Sequence, residues 1–277
     1  MSIAELPYLG SGLGYRREIG ANILAAQNRI DVVELLVDEF AGSDNRLAEA
    51  RDICAKIPTV PHGVGLSIGS VTRPDVSYLS RIKKISDLCS ANYYSEHLSM
   101  TRAPAINIGH LAPLRFTEKA LGRIVENIQI VQEFLDVPLV LETITYLFSI
   151  PGSTFNEADF FAELVKRTGC GILLDLTNVH INAANHGFSE IDFIDALPLS
   201  AVMQVHLAGG YWRDGIFIDG HSEPVHEAVW NLFADLCKRT SIRTCIIEHD
   251  ANFPADIEML IQQVERARTI QESSCTE

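Results

Sequence analysis

One pattern recurs along the chain and restricts its fold more than any single residue does. A short β-branched or aliphatic run is followed by a polar tip and then by an amphipathic segment. Eight runs carry it: Leu9–Tyr15, Val32–Val37, Thr59–Val64, Ala91–Leu98, Pro138–Thr143, Gly171–Leu176, Ala201–Leu207 and Thr244–Glu248. Between them, Leu79, Ile82, Ile85 and Leu88, and again Leu121, Ile124, Val125 and Ile128, recur at the three-to-four spacing of a helix with one apolar face. Thr154-Phe-Asn-Glu157 has the spacing of a capping box ahead of a helix predicted over 158–167. Pro224 stands where a helix over 225–238 is predicted to start.

Eight strand–helix units in 277 residues predict an α/β fold. The expected architecture is a single (β/α)8 TIM barrel, one domain over residues 1–277. The competing architecture is an open doubly wound sheet. It lacks support because no GxGxxG follows an early strand. Gly10-Ser-Gly12-Leu-Gly14 has the wrong spacing for a dinucleotide and reads as a tight turn at the first strand.

The balance of charge excludes one class of partner. With 22 basic against 36 acidic residues the net charge is −14, and phosphate backbones need clustered Lys and Arg, so nucleic acid is not expected. No apolar run approaches the roughly 18–20 residues of a membrane helix. The amino-terminal stretch lacks the basic and apolar regions of a signal peptide. Cys54, Cys89, Cys170, Cys237, Cys245 and Cys275 form no CxxC pair and read as small hydrophobes. These features suit a reducing, cytoplasmic compartment.

In a barrel of this kind the chemistry sits at the C-terminal ends of the strands. The predicted tips carry Glu34, with Asp38 and Glu39 beyond it; His62; Glu96-His97; Glu142; Asp175 and Asn178; His206; and Glu248-His249-Asp250. Asp219 and His221 lie in the loop after the seventh strand. Singly, each has an ordinary explanation. A histidine in an apolar strand is commonly a hydrogen-bonded core residue, and an acid at a strand end commonly caps the next helix. Jointly they place an acid or an imidazole on seven of eight tips. So many carboxylates converging without cations would be costly to bury. Lys and Arg are absent from the predicted tips, which leaves metal ions as the counter-charge. Oxygen and nitrogen ligands without thiolate suit Fe(II), Mn(II) or catalytic zinc, and the number of groups suits two or three ions. His180 and Asn182 read as loop or helix-cap polars as well as functional groups, and His186-Gly187 reads as a loop turn.

At these residues the sequence resembles the multinuclear iron-dependent oxidases, which implies a xylose-isomerase-like TIM barrel and a single metal-binding domain over residues 1–277. The segments that carry the likeness are HGVGLSIGS (62–70), SEHL (95–98), LE (141–142), GSTFNEADFFAELVKRTGCGILLDLTN (152–178), NHGF (185–188), VHLAGG (205–210), IDGHSEPV (218–225) and IEHD (247–250). The resemblance implies His62, His97, Glu142, Asp175, His206 and Glu248 as metal ligands, with Glu142 as a bridge. It implies Asn178, Asp219 and His221 around a third ion, and His97, Glu142 and Asp175 at the centre of catalysis. It further implies two or three irons in mixed Fe(II)/Fe(III) states, dioxygen as co-substrate, and a cysteine of a ribosomally made precursor peptide as the group modified. Relatives of this type build methanobactin and 3-thiaglutamate, and work with a small partner protein that holds the leader peptide. Thr143 stands where many relatives have Asn, and Glu96 where they often have Asp. Two other readings stay open: a redox-neutral divalent-metal barrel, such as a sugar isomerase or phosphoesterase, and a barrel that only binds peptide or metal.

Overall fold

A computed structural model describes residues 2–104 and 106–274. Eight parallel strands close into a barrel: β1 (Gly10–Gly14), β2 (Val32–Leu36), β3 (Thr59–Gly63), β4 (Tyr94–His97), β5 (Leu139–Glu142), β6 (Gly171–Asp175), β7 (Val202–Leu207) and β8 (Thr244–Ile247). Each pairs with its sequence neighbour, and β1 closes on β8 with Gly12 opposite Ile246. The predicted barrel is therefore the observed one, with strands a residue or more shorter at their ends.

Alternation along the strands divides the core in two, because successive strand side chains point to opposite faces. Val33, Leu35, Tyr94, Leu141, Leu174, Val205 and Ile247 join the large cluster that packs under the helices. Val32, Val60, Tyr93, Val140, Leu173, Met203 and Ile246 form a separate small cluster with Leu6, an apolar plug inside the barrel. Two residues beyond most of these plug residues comes a polar one: Glu34, His62, Ser95, Glu142, Asp175 and Glu248. Two residues of strand rise are about 6.6 Å. The polar set is thus one layer above a dry floor.

The helices that cover the barrel are α1 (Gly20–Ala25), α2 (Asp44–Cys54), α3 (Val76–Cys89), α4 (Glu118–Leu135), α5 (Glu157–Thr168), α6 (Leu176–His186), α7 (Glu190–Ala196), α8 (Glu227–Arg239) and α9 (Glu258–Ser274). The periodic residues behave as their spacing predicts: Leu79, Ile82 and Ile85 of α3 and Leu121, Ile124 and Ile128 of α4 are buried. Two hairpins rise from the C-terminal face. Met100–Ala103 pairs with Ile106–Ala112 after β4, and Tyr211–Arg213 pairs with Ile216–Ile218 after β7.

Local details depart from expectation. Asn156, not Thr154, caps α5, its side chain accepting from the Asp159 amide, while the Thr154 hydroxyl donates to the Phe116 carbonyl. The helix predicted to start after Pro224 begins at Glu227, capped by the His226 ring. His186-Gly187 is the end of α6 rather than a loop turn, with Gly187 in the left-handed conformation at φ 72°. The glycine run is not a turn either. Gly10–Gly14 is β1 itself, fully buried. A Cβ on Gly12 would run into the carbonyl oxygen of Val32 on the neighbouring strand, so the close approach of β1 and β2 requires glycine there. Gly12→Ala should therefore destabilise by on the order of 3 kcal/mol or more, a cost set by backbone displacement. Thermal melts of the purified variant followed by circular dichroism check this, and a melting temperature equal to wild type would refute it.

Candidate metal centre

The strand register brings the polar tips side by side. His97 lies opposite Glu142 across β4 and β5, and Asp175 opposite His206 across β6 and β7. Glu142 is 2% exposed and sits among three imidazoles. Its Oε2 is 3.3 Å from His62 Nε2 and 3.2 Å from His97 Nε2, and its Oε1 is 3.3 Å from His206 Nδ1. His206 Nδ1 is also 3.1 Å from Glu248 Oε2. Two groups of potential ligand atoms result, each with its atoms within 4.8 Å of one another: His62, His97 and Glu142, and Glu142, Asp175, His206 and Glu248. Glu142 belongs to both. This cluster fits a multi-metal site.

Each imidazole is held by the nitrogen that does not face Glu142. His62 Nδ1 is 2.9 Å from Ser95 Oγ, and His97 Nδ1 donates to the Gly63 carbonyl at 3.1 Å. His206 Nε2 is 3.0 Å from Glu34 Oε2, which also accepts from Gln204 Nε2 at 2.5 Å. Such outer partners fix the orientation of metal-binding histidines. Glu34 is fully buried beneath His206, so it supports that ring and meets no substrate.

Asp175 shows how local sequence makes a site. It is the N-cap of α6, its Oδ1 accepting from the Thr177 and Asn178 amides at 2.7 and 2.9 Å. The cap fixes the carboxylate and leaves Oδ2 buried without a partner. Asn178, one turn on, donates to the Thr143 carbonyl and leaves its own Oδ1 unpartnered. Asp219 and His221 approach to 2.7 Å, Asp219 also accepting from the Thr145 hydroxyl. Asp175 Oδ2 and Asn178 Oδ1 are buried without any partner, while Glu142 Oε2, His206 Nδ1, Asp219 Oδ1 and His221 Nε2 meet only other acids and imidazoles of the cluster, at 2.7–3.3 Å. Orphaned buried polar atoms are uncommon, and these two, beside acids and imidazoles that face one another, are what a bound cation would satisfy.

The remaining polar residues of α6 do something else. Asn182 donates to the Ile144 carbonyl and accepts from the Tyr146 amide, Asn185 exchanges two hydrogen bonds with the Phe217 backbone, and His186 Nε2 donates to the Tyr146 carbonyl. They pin the loops after β5 and β7 over the site. His180 pairs with Glu190 at 2.8 Å, away from the cluster, and His249 packs against Phe253. Glu96 accepts from Tyr94 Oη and the Leu66 amide, and Asp38 from Tyr78 Oη and the Val64 amide, so both brace the loop after β3.

The expectation that no Arg or Lys reaches the tips is wrong. Arg16, just past β1, is 7% exposed and lines the cavity, with Nε 2.6 Å from Asp250 Oδ1 and an amino nitrogen 3.7 Å from Glu248 Oε1. Gln204 was missed too, although it precedes His206 by two residues on the same strand and so shares its face. One guanidinium does not balance the cluster. Burial opposes charge on His97, yet Glu142 and Glu96 lift its pKa to about 9. Burial likewise opposes charge on Glu142 and Glu248, yet the imidazoles hold both carboxyls below their usual range. Asp175 goes the other way, raised well above by burial and by Asp219, Glu142 and Glu248.

The cavity over these groups is about 280 Å³, walled on its apolar side by Leu36, Val64, Leu111 and Ile144. Residues 10–272 match the family described as RiPP precursor modification enzyme MbnB/TglH/ChrH. The chain belongs to that family. Curated relatives of this MbnB/TglH/ChrH member bear the name UPF0276 protein. One from Acaryochloris marina is 33% identical, covering 96% of each chain. One from Streptomyces avermitilis is 36% identical over 91% of this chain, which spans about half, 53%, of that protein. Solved structures share the fold at low identity. D-psicose 3-epimerase from Clostridium cellulolyticum H10 superimposes with a TM-score of 0.60 at 13% identity, covering 96% of this chain and 98% of that one. A xylose isomerase domain protein from Planctomyces limnophilus gives 0.56 at 12% identity, covering 98% and 99%.

Two substitutions separate the roles of these groups. Asp175→Asn keeps a capping oxygen but removes the charge, so metal content of the purified protein should fall while the fold persists. Full metal content by mass spectrometry would remove Asp175 from the ligand set. Glu34→Gln alters the shared partner of His206 and Gln204 and leaves the proposed ligands in place, so it should weaken metal affinity by roughly 10–100-fold, read from a competition titration against a chelator.

Proposed function

We propose that this chain is an iron- and dioxygen-dependent oxidase that modifies a cysteine of a ribosomally made precursor peptide. Membership of a family of peptide-modifying enzymes supports the peptide. The observation that carries the metal reading is the convergence of two groups of buried ligand atoms on Glu142, with Asp175 Oδ2 and Asn178 Oδ1 left without a partner beside them. His62, His97 and Glu142 would hold one ion, and Glu142, Asp175, His206 and Glu248 a second. Asn178, Asp219 and His221 would hold a third. Bound iron would supply the redox chemistry with dioxygen, and would bind the peptide sulfur as thiolate.

The chain's own contribution is placement and exclusion. Glu142 presents one oxygen to each group, fixing the spacing of the two sites. Arg16 neutralises part of Glu248 and holds Asp250 in place. Ile144, Leu36, Val64 and Leu111 keep one side of the cavity dry. The loops around the mouth expose Ile106 and Ile108 after β4, Leu147 and Phe148 after β5, and Tyr211, Trp212 and Ile216 after β7. An apolar rim of that kind suits a peptide. A second cavity of about 250 Å³, walled by Leu98, Leu114, Phe116, Ile144 and Ile150, shares Ile144 with the first and offers room for a side chain beside the reacting one.

A redox-neutral isomerase or phosphoesterase is the reading to beat. The guanidinium of Arg16 is the feature that favours it, but Asp250 already engages that group at 2.6 Å. Metal analysis of protein purified without oxygen, followed by Mössbauer spectra of an iron-57 sample, discriminates. Two or three irons per chain with a coupled Fe(II)/Fe(III) signal, and oxygen uptake on adding a cysteine-bearing precursor peptide, are expected. Stoichiometric zinc or manganese without redox-active iron would overturn the oxidase.

A further inference from the structure

Cys54 and Cys89 are the last residues of α2 and α3, which pack side by side. Cys54 Sγ and Cys89 Sγ are in hydrogen-bond contact at 3.1 Å, and both residues are half-buried, within reach of small solutes. A disulfide needs its sulfurs at about 2.05 Å, so closure asks for roughly 1 Å of movement at two helix ends. The other described cysteines are buried, and burial pushes the Cys170 and Cys245 thiols up. Cys54 differs: the Cys89 thiol bonded to it, against the effect of burial, brings its pKa down to about 7. It is the more nucleophilic partner at neutral pH.

We propose that Cys54 and Cys89 are an oxidative modification site that closes reversibly to a disulfide. The oxidant is a low-molecular-weight disulfide such as oxidised glutathione. The Cys54 thiolate attacks one sulfur of it, and one glutathione thiolate leaves. Cys89 then loses its proton, attacks Cys54 Sγ of the mixed disulfide, and expels the second glutathione. The two protein thiols lose two electrons and two protons in total, and one oxidant molecule becomes two thiols.

The position in the fold sets the consequence. Cys54 and Cys89 each precede by five residues the strands β3 and β4, whose far ends carry His62 and His97. The bond therefore ties together the two chain segments entering those strands, at the end of the barrel opposite the metal centre. It closes a loop whose ends are 35 positions apart, which restricts the unfolded chain more than it changes the folded one.

The test is thiol counting on the full chain, with and without oxidised glutathione, by alkylation in denaturant and peptide mass mapping. The expected result is two fewer alkylated thiols, a cross-linked peptide pair containing Cys54 and Cys89, and reversal by dithiothreitol. The melting temperature should rise by roughly 5–10 °C on oxidation, with metal content unchanged. In Cys89→Ser the reaction should stop at a stable glutathione adduct on Cys54, and the rise should vanish. Six alkylatable thiols after oxidation, a cross-link between other cysteines, or a stable glutathione adduct on wild-type Cys54 would each overturn the proposal. The wild-type count decides it even if the variant does not fold.

Discussion

A buried carboxylate is costly without positive charge or donated hydrogen bonds, and among the described residues the inward face of this barrel holds four: Glu34, Glu142, Asp175 and Glu248, none more than 7% exposed. Arg16 reaches only Glu248 among them. Without a metal, protons must serve. They collect on His97, His206 and His221, whose pKa values are raised against burial by the surrounding acids, while Asp175 is pushed toward its neutral form. Divalent ions would do the same work without protonating the ligands, and their binding should release protons for that reason. The rest of the site follows from this one imbalance: outer partners on each histidine, a capped Asp175, and Glu142 shared between two groups.

The barrel makes such a cluster possible through the two-residue period of its strands. Val32, Val60, Val140, Leu173 and Ile246 close the interior below. The next inward positions, Glu34, His62, Glu142, Asp175 and Glu248, form the polar layer of the candidate site. A one-residue slip in any strand would exchange its ligand for a residue of the outer cluster. The plug and the metal layer are therefore one design constraint, and packing at the floor protects register at the rim.

This is also why the convergence of candidate ligands could be read from the sequence. An acid or imidazole two places after an inward apolar residue is conspicuous when it recurs in strand after strand, and the likeness to iron-dependent oxidases fell on the same residues. What stayed hidden depended on the third dimension. Arg16 belongs to no motif and enters the cavity only because β1 lies beside β8. Asn182 looked like a cap or loop polar, and Asn185 drew no role, because their partners, the backbones at 144–146 and 217, are more than thirty residues away. The glycines of β1 looked like a turn because the crowding that requires them comes from β2. Cys54 and Cys89 share no local pattern, and only the packing of α2 on α3 joins them.

Fold likeness to sugar epimerases and isomerases cannot decide the substrate, since this barrel hosts many chemistries. The loops decide more. A sugar is recognised by hydrogen bonds to its hydroxyls, and a mouth built for one would be ringed by polar side chains. Here three loops raise exposed aliphatic and aromatic residues around the opening, and α6 spends Asn182, Asn185 and His186 on holding two of those loops in place. Leaving that much apolar surface exposed is costly unless something covers it. A peptide that lies across the rim and lowers one residue to the metal layer would cover it, and would bring its reacting atom to the only end of the barrel where the polar layer opens.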